Sequence, residues 1–135
     1  MHKYKLGDLI VRWGPAFVLM KTIYFASGLP ADRIPDLAGI DDVVKKGGHA
    51  VGFSLLALAL LRGLGSHKRH AREIAFGLTF IYAVSDESHQ MLTPGRTPSL
   101  TDIGIDMTGA VIALLLHKKI KLVQKLTDAF LPPAV

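Results

Sequence analysis

The sequence predicts an all-α protein, a small transmembrane bundle of about four helices with a polar cavity near its extracytoplasmic face. Half of the 135 residues are hydrophobic and the mean hydropathy is +0.35, yet charged residues still make up 20%. Apolar runs of helical length alternate with loops of Gly, Pro, Asp and basic residues. Lys and Arg are shared unevenly among those loops: eleven fall in 1–12, 62–72 and 118–125, four in the two loops between, and Lys21 within a helix. That asymmetry is the positive-inside pattern. It predicts a multi-pass membrane protein with both termini cytoplasmic and the polar site facing outward.

The length suits one domain over 1–135. The net charge of +5 suits loops facing an anionic leaflet, and no nucleic-acid-binding motif accompanies it. The absence of cysteine excludes disulfides, thiolate catalysis and Cys-ligated zinc.

The first helix is expected over Leu9 to Ser27, with Pro15 near its start and Gly28 at its end. Lys3 and Lys5 before an apolar run suggest a leader, but Arg12 and Lys21 interrupt it, so it reads as an uncleaved membrane helix. The 28–47 segment is a loop in which Ile34, Leu37, Ile40, Val43 and Val44 suggest short amphipathic turns on the membrane surface. A second helix follows, with 47–61 free of Asp, Glu, Lys and Arg and Gly48/Gly52 spaced for close helix approach. The third runs from Ile74 to about Leu92 and is broken by Thr93-Pro94-Gly95. The fourth starts at a capping-box-like Ser99-Leu-Thr-Asp102 and reaches about His117, with Gly109 and Ala113 as a second close-approach pair. An amphipathic tail covers 118–131. The apolar runs are short for simple membrane spans, which leaves a soluble four-helix bundle as the alternative. The charge placement decides for the membrane: acids and histidine intrude only where the second to fourth helices meet the 28–47 and 93–101 loops.

On the third helix Tyr82, Asp86, His89 and Gln90 share one face, while Glu87 points about 100° away. Asp102, Asp106, Gly109 and Ala113 form a stripe on the fourth. Lys45 or Lys46, His49 and Leu56 form one on the second. The short 93–101 turn makes the third and fourth helices antiparallel neighbours, so Asp86, His89 and Asp102 can share one depth. Ionisable groups inside a membrane are costly and mark functional sites.

Three chemistries fit. His49 and His89 can serve as base and acid, with Asp86 or Glu87 as the orienting carboxylate and Gln90 and Asp102 beside them. Arg96, Lys45, Lys46 and the amide groups at the start of the fourth helix, with Ser99, can grip a phosphate or carboxylate. His49, His89 and Glu87 form a permitted divalent-metal set, although the spacing is not H-E-x-x-H. Singly, Asp102 reads as a helix cap, Arg96 as a local ion pair, His49 as an interhelical hydrogen bond and Tyr82 as an interfacial anchor. A polar network that merely locks the bundle is the structural alternative.

The run Tyr82-x-x-x-Asp86-Glu87-x-His89-Gln90-x-x-x-Pro94-Gly95-Arg96-x-x-Ser99-x-x-Asp102, with Gly109 beyond it, resembles the signature of the VanZ-like family of small membrane proteins. Lys46-x-x-His49 with Phe53 is similar to the family's other block, and the likeness covers a core of about 13–116. The family usually has an amide where this chain has Asp106, and the extra carboxylate would either raise a neighbour's pKa or complete a cation site. The resemblance implies a bacterial envelope protein, and the family's namesake is associated with teicoplanin resistance. The expected partners are the bilayer and a lipid-linked or phosphate-bearing envelope precursor, or a glycopeptide. The site either processes that substrate or binds it without turnover.

Overall fold

The structure, a computed structural model, describes residues 6–30, 39–120, 122, 124 and 125. Four helices account for most of them: α1 (Leu6–Ser27), α2 (Asp41–Leu64), α3 (Ala71–Gln90) and α4 (Leu100–Lys119). The expected turns around Ile34 and Leu37, and most of the C-terminal tail, lie outside the described residues.

α2 is the central helix. It packs against α1, α3 and α4, and its interface with α4 is the largest in the molecule. Phe53, Leu56, Ala57 and Leu61 of α2, Ala75 of α3 and Ala110 of α4 are completely or almost completely buried at the centre. Small residues let the backbones approach, which is how helices associate where lipid removes the hydrophobic drive between them. The outer surface is apolar instead of polar: Phe17, Val18, Phe25, Val51, Ile81 and Ile112 are all exposed. A soluble bundle would hide these side chains.

Three helices, α1, α2 and α4, are long and apolar enough to cross a membrane. α3 has the length but carries Arg72, Glu73, Asp86 and Glu87. At 1.5 Å per residue, helices of 20 to 24 residues are about 30–36 Å long, which matches the hydrocarbon thickness. The shortness of the apolar runs is resolved by the helix ends. α2 begins at Asp41, six residues before the apolar run at Gly47, and Asp41 and Asp42 occupy its positively polarised first turn.

Two glycine expectations divide. A Cβ at Gly109 would meet the Ala50 carbonyl oxygen at 2.5 Å, so α4 crosses α2 there too closely to admit a side chain. Gly48 has open space around it and is no contact point, while Gly52 faces Ile23 of α1.

The end opposite the polar cluster is closed by arginines. Pro15 is the tenth residue of α1 and not part of its first turn, because the helix starts at Leu6. Pro15 has no N–H for the carbonyl of Val11 one turn earlier. Arg62 of α2 donates to that Val11 oxygen at 3.0 Å. In return Arg12 of α1 donates to the Gly63 and Leu64 carbonyl oxygens at the end of α2. The Trp13 ring lies over Gly63, where a Cβ would come within 2.6 Å of it.

Candidate functional site

The C-termini of α1 and α3 and the N-termini of α2 and α4 meet at one end of the bundle. Between them lies a cleft of about 380 Å³ lined by Asp42, Lys45, Lys46, His49, Gln90, Gly95, Arg96, Thr97, Ser99, Asp102, Ile105 and Asp106.

Its floor is built around His49. The imidazole Nδ1 lies 3.8 Å from Asp106 Oδ2 and 4.0 Å from Asp86 Oδ2, so two carboxylates from two other helices flank one ring nitrogen. Asp86 is held in place. Its Oδ1 accepts from Ser27 Oγ at 2.5 Å and its Oδ2 from Gln90 Nε2 at 3.1 Å, and the residue is 3% exposed. Asp106 is 4% exposed, and its Oδ1 is buried with no hydrogen-bond partner. With Nδ1 turned to the acids, Nε2 is the ring nitrogen left for a ligand. At 3.8 and 4.0 Å both contacts are electrostatic and longer than a hydrogen bond, so the carboxylates act on the ring through their charge.

The rim is cationic on one side. The turn Thr93-Pro94-Gly95-Arg96 closes with Arg96 N–H donating to the Thr93 oxygen at 3.2 Å, and Gly95 takes φ +75°. Pro at the second position and a positive-φ glycine at the third make this a type II turn. It swings Arg96 over the cleft, where Nε donates to the Leu29 carbonyl oxygen at 3.3 Å. Lys46 Nζ stands 3.8 Å from Asp102 Oδ1 across the opening.

Helical periodicity sorts the α3 residues. Taking 100° per residue, His89 and Tyr82 sit about 60° and 40° to one side of Asp86, Gln90 about 40° and Glu87 about 100° to the other. Each group therefore meets a different neighbour. His89 stacks on Tyr24 of α1 with centroids 4.0 Å apart, and Tyr82 donates its hydroxyl to the Met20 carbonyl oxygen of α1. Gln90 lines the cleft. Glu87 accepts from the backbone N–H of Ser99.

Of the residues expected at the site, His49, Asp86, Gln90, Asp102, Asp106, Lys46, Arg96 and Ser99 come together, Asp86 as the buried layer under His49. His89, Glu87 and Tyr82 do not line the cleft. The metal set of His49, His89 and Glu87 is not assembled, and among the described residues no three such side chains are placed to hold a metal ion. Asp102 is not the second half of a capping box. Ser99 Oγ does accept from Thr101 N–H, but the Ser99 N–H goes to Glu87, which frees Asp102 for the cleft. Sequence reasoning missed Ser27, Tyr24 and Asp42. Asp42 falls in register with Lys45, Lys46 and His49 once α2 is extended back to Asp41.

A family model described as VanZ/LLP1 matches residues 8–123, a span that contains every residue of the cleft. No curated protein and no solved structure matches the chain.

Proposed function

The chain belongs to the VanZ-like family of membrane proteins, and from that premise we propose that its cleft takes the phosphate-bearing head group of an amphiphilic bacterial envelope substrate and acts on it through His49. The observation that carries this reading is the placement of His49 between Asp86 and Asp106, with Lys45, Lys46 and Arg96 on the same cleft. The cations supply an anion clamp, Arg96 through a planar fork suited to phosphate oxygens. The N-termini of α2 and α4 add their partial positive charge. His49 Nε2 then accepts a proton from a ligand hydroxyl or water. With both termini cytoplasmic the cleft opens at the outer leaflet, where lipid-linked wall precursors and glycopeptides meet.

Purified protein in detergent should bind a phosphate-bearing lipid in native mass spectrometry, and Arg96→Gln should weaken that binding without unfolding the protein. His49→Gln should retain binding and abolish any change in lipid mass on incubation. In cells the same variants are to be assayed for teicoplanin resistance, the phenotype attached to the family likeness. Folded, inserted Arg96→Gln and His49→Gln proteins that behave as wild type in all three assays would refute the reading.

A second reading, binding without turnover, is favoured by one observation. Among the described residues His49 is the sole imidazole on the cleft, since His89 is stacked away against Tyr24. One group would have to be base and acid in turn. Stoichiometric binding with unchanged lipid mass identifies this case.

A further inference from the structure

We propose that the head group accepted by this cleft is zwitterionic, a phosphate ester that also carries a primary ammonium group, as in an ethanolamine phosphate. This rests on the phosphate-binding reading and sharpens it. The lining is balanced: Lys45, Lys46 and Arg96 against Asp42, Asp102 and Asp106. A phosphate alone would satisfy the first set and press its charge against the second.

The carboxylates are short of donors. Oδ1 of Asp106 and Oδ1 of Asp102 are both buried without a hydrogen bond, and Asp106 as a whole is 96% buried by its 4% exposure. Asp42 and Asp102 stand in the first turns of α2 and α4, where the helix ends favour acids. Asp106 lies beyond the first turn, so the helix end does not account for it. His49 reaches only its Oδ2. An ammonium brings three N–H donors and no acceptor, which is the complement of two open carboxylate oxygens. The existing contact across the cleft yields easily. Lys46 and Asp102 are 3.8 Å apart, too far for a hydrogen bond, with side chains 44% and 32% exposed. A zwitterion would replace it, phosphate to Lys46 and ammonium to Asp102 and Asp106.

The test is native mass spectrometry of the full-length protein with three lipids of matched acyl chains: phosphatidylethanolamine, its N-acetyl derivative and phosphatidylglycerol. The expected result is a preference for phosphatidylethanolamine of about tenfold or more over both others. Asp106→Asn, nearly isosteric, should erase that preference. Asp102→Asn, at a more exposed position, should reduce it if Asp106→Asn does not fold. Displacement of the lipid by soluble O-phosphoethanolamine would show that the head group suffices, and failure to displace would tie recognition to the lipid; either supports the chemistry. Equal binding of the three lipids by wild type overturns this inference and leaves the phosphate site standing. No binding of any of them, or binding indifferent to Arg96→Gln, overturns both.

Discussion

Gly109→Ala is the sharpest probe of how the fold makes the site. The added Cβ would lie 2.5 Å from the Ala50 carbonyl oxygen and 2.8 Å from Ser54 Oγ, whereas ordinary contact begins at 3.4 Å. Ala50 presents backbone, and the Ser54 hydroxyl is itself tied to that same oxygen at 2.6 Å, so neither can turn away. The helices must part by the difference between 2.5 and 3.4 Å, 0.9 Å. Overpacking of this kind costs about 1–3 kcal/mol, and the better helix propensity of alanine returns about 1 kcal/mol. The net loss, about 0–2 kcal/mol, leaves the protein folded. The functional loss is larger. Gly109 is three residues from Asp106, and Ala50 follows His49, so the separation opens the end of the interface where α2 and α4 pair charges, His49 with Asp106 and Lys46 with Asp102. A ligand spanning both walls forfeits a charge-assisted hydrogen bond on one of them, about 1.5–3 kcal/mol, or tenfold or more in affinity. Gly104→Ala is the control, because nothing lies within 4 Å of it on the same helix. Chemical unfolding followed by helical circular dichroism, together with native mass spectrometry of bound phosphate lipid, measures both quantities. If Gly109→Ala is stabilised as much as Gly104→Ala and binds lipid as wild type does, the close crossing is not what shapes the cleft.

Three further outcomes are expected. Arg62→Ala should cost about 1 kcal/mol by leaving the Val11 carbonyl without its donor; in a Pro15→Ala background, where the helix regains its own N–H, the cost should shrink, and a double-mutant unfolding cycle reads the coupling. Ser27→Ala should destabilise by about 1–3 kcal/mol, because Asp86 stays buried while losing the donor to Oδ1; denaturant titration checks it, and Ser27→Thr, if it fits, should recover part. Since the chain lacks cysteine, single-cysteine labelling is clean: Thr97→Cys should react with a membrane-impermeant maleimide on intact cells and Ser66→Cys only after permeabilisation.

The bundle was readable because its signals are local. The proline–glycine turn at 94–95, the Ser99 cap and the apolar runs each depend on a few adjacent residues. The start of α2 was not readable by the same rule, since residues 41–46 are mostly charged and the spacing of Val43 and Val44 also fits a short surface turn of the preceding loop. The site was partly legible. Residue types and depth pointed to His49, Asp86, Asp102 and Asp106, which the fold gathers. His89 and Tyr82 were assigned to the same face because a helical face is wide: a spread of about 100° between His89 and Gln90 is enough to send one to α1 and the other to the cleft. Which neighbour waits on each side is tertiary information, absent from any local pattern. The same holds for Ser27, 59 residues from the carboxylate it bonds.

What separates a structural acid from a functional one here is whether its oxygens are already taken. Glu87 holds the Ser99 amide, so it ties the end of α3 to the start of α4 and sets the distance between the two walls. Asp86 has a donor on each oxygen and stands as a fixed charge behind the imidazole. Asp102 and Asp106 each keep a buried oxygen without a hydrogen bond, on the one surface where cations and the open edge of His49 also face. A network whose purpose was only to lock the bundle would spend those oxygens as it spends the others, because an unpaired buried acceptor costs about 1–3 kcal/mol. Leaving two of them open, side by side with two lysines and an arginine, makes sense if a ligand supplies the missing donors. The fold therefore divides its acids by helix: the α3 pair is hydrogen-bonded into the frame, and the α4 pair lines the cleft, each with one buried oxygen that has no hydrogen bond.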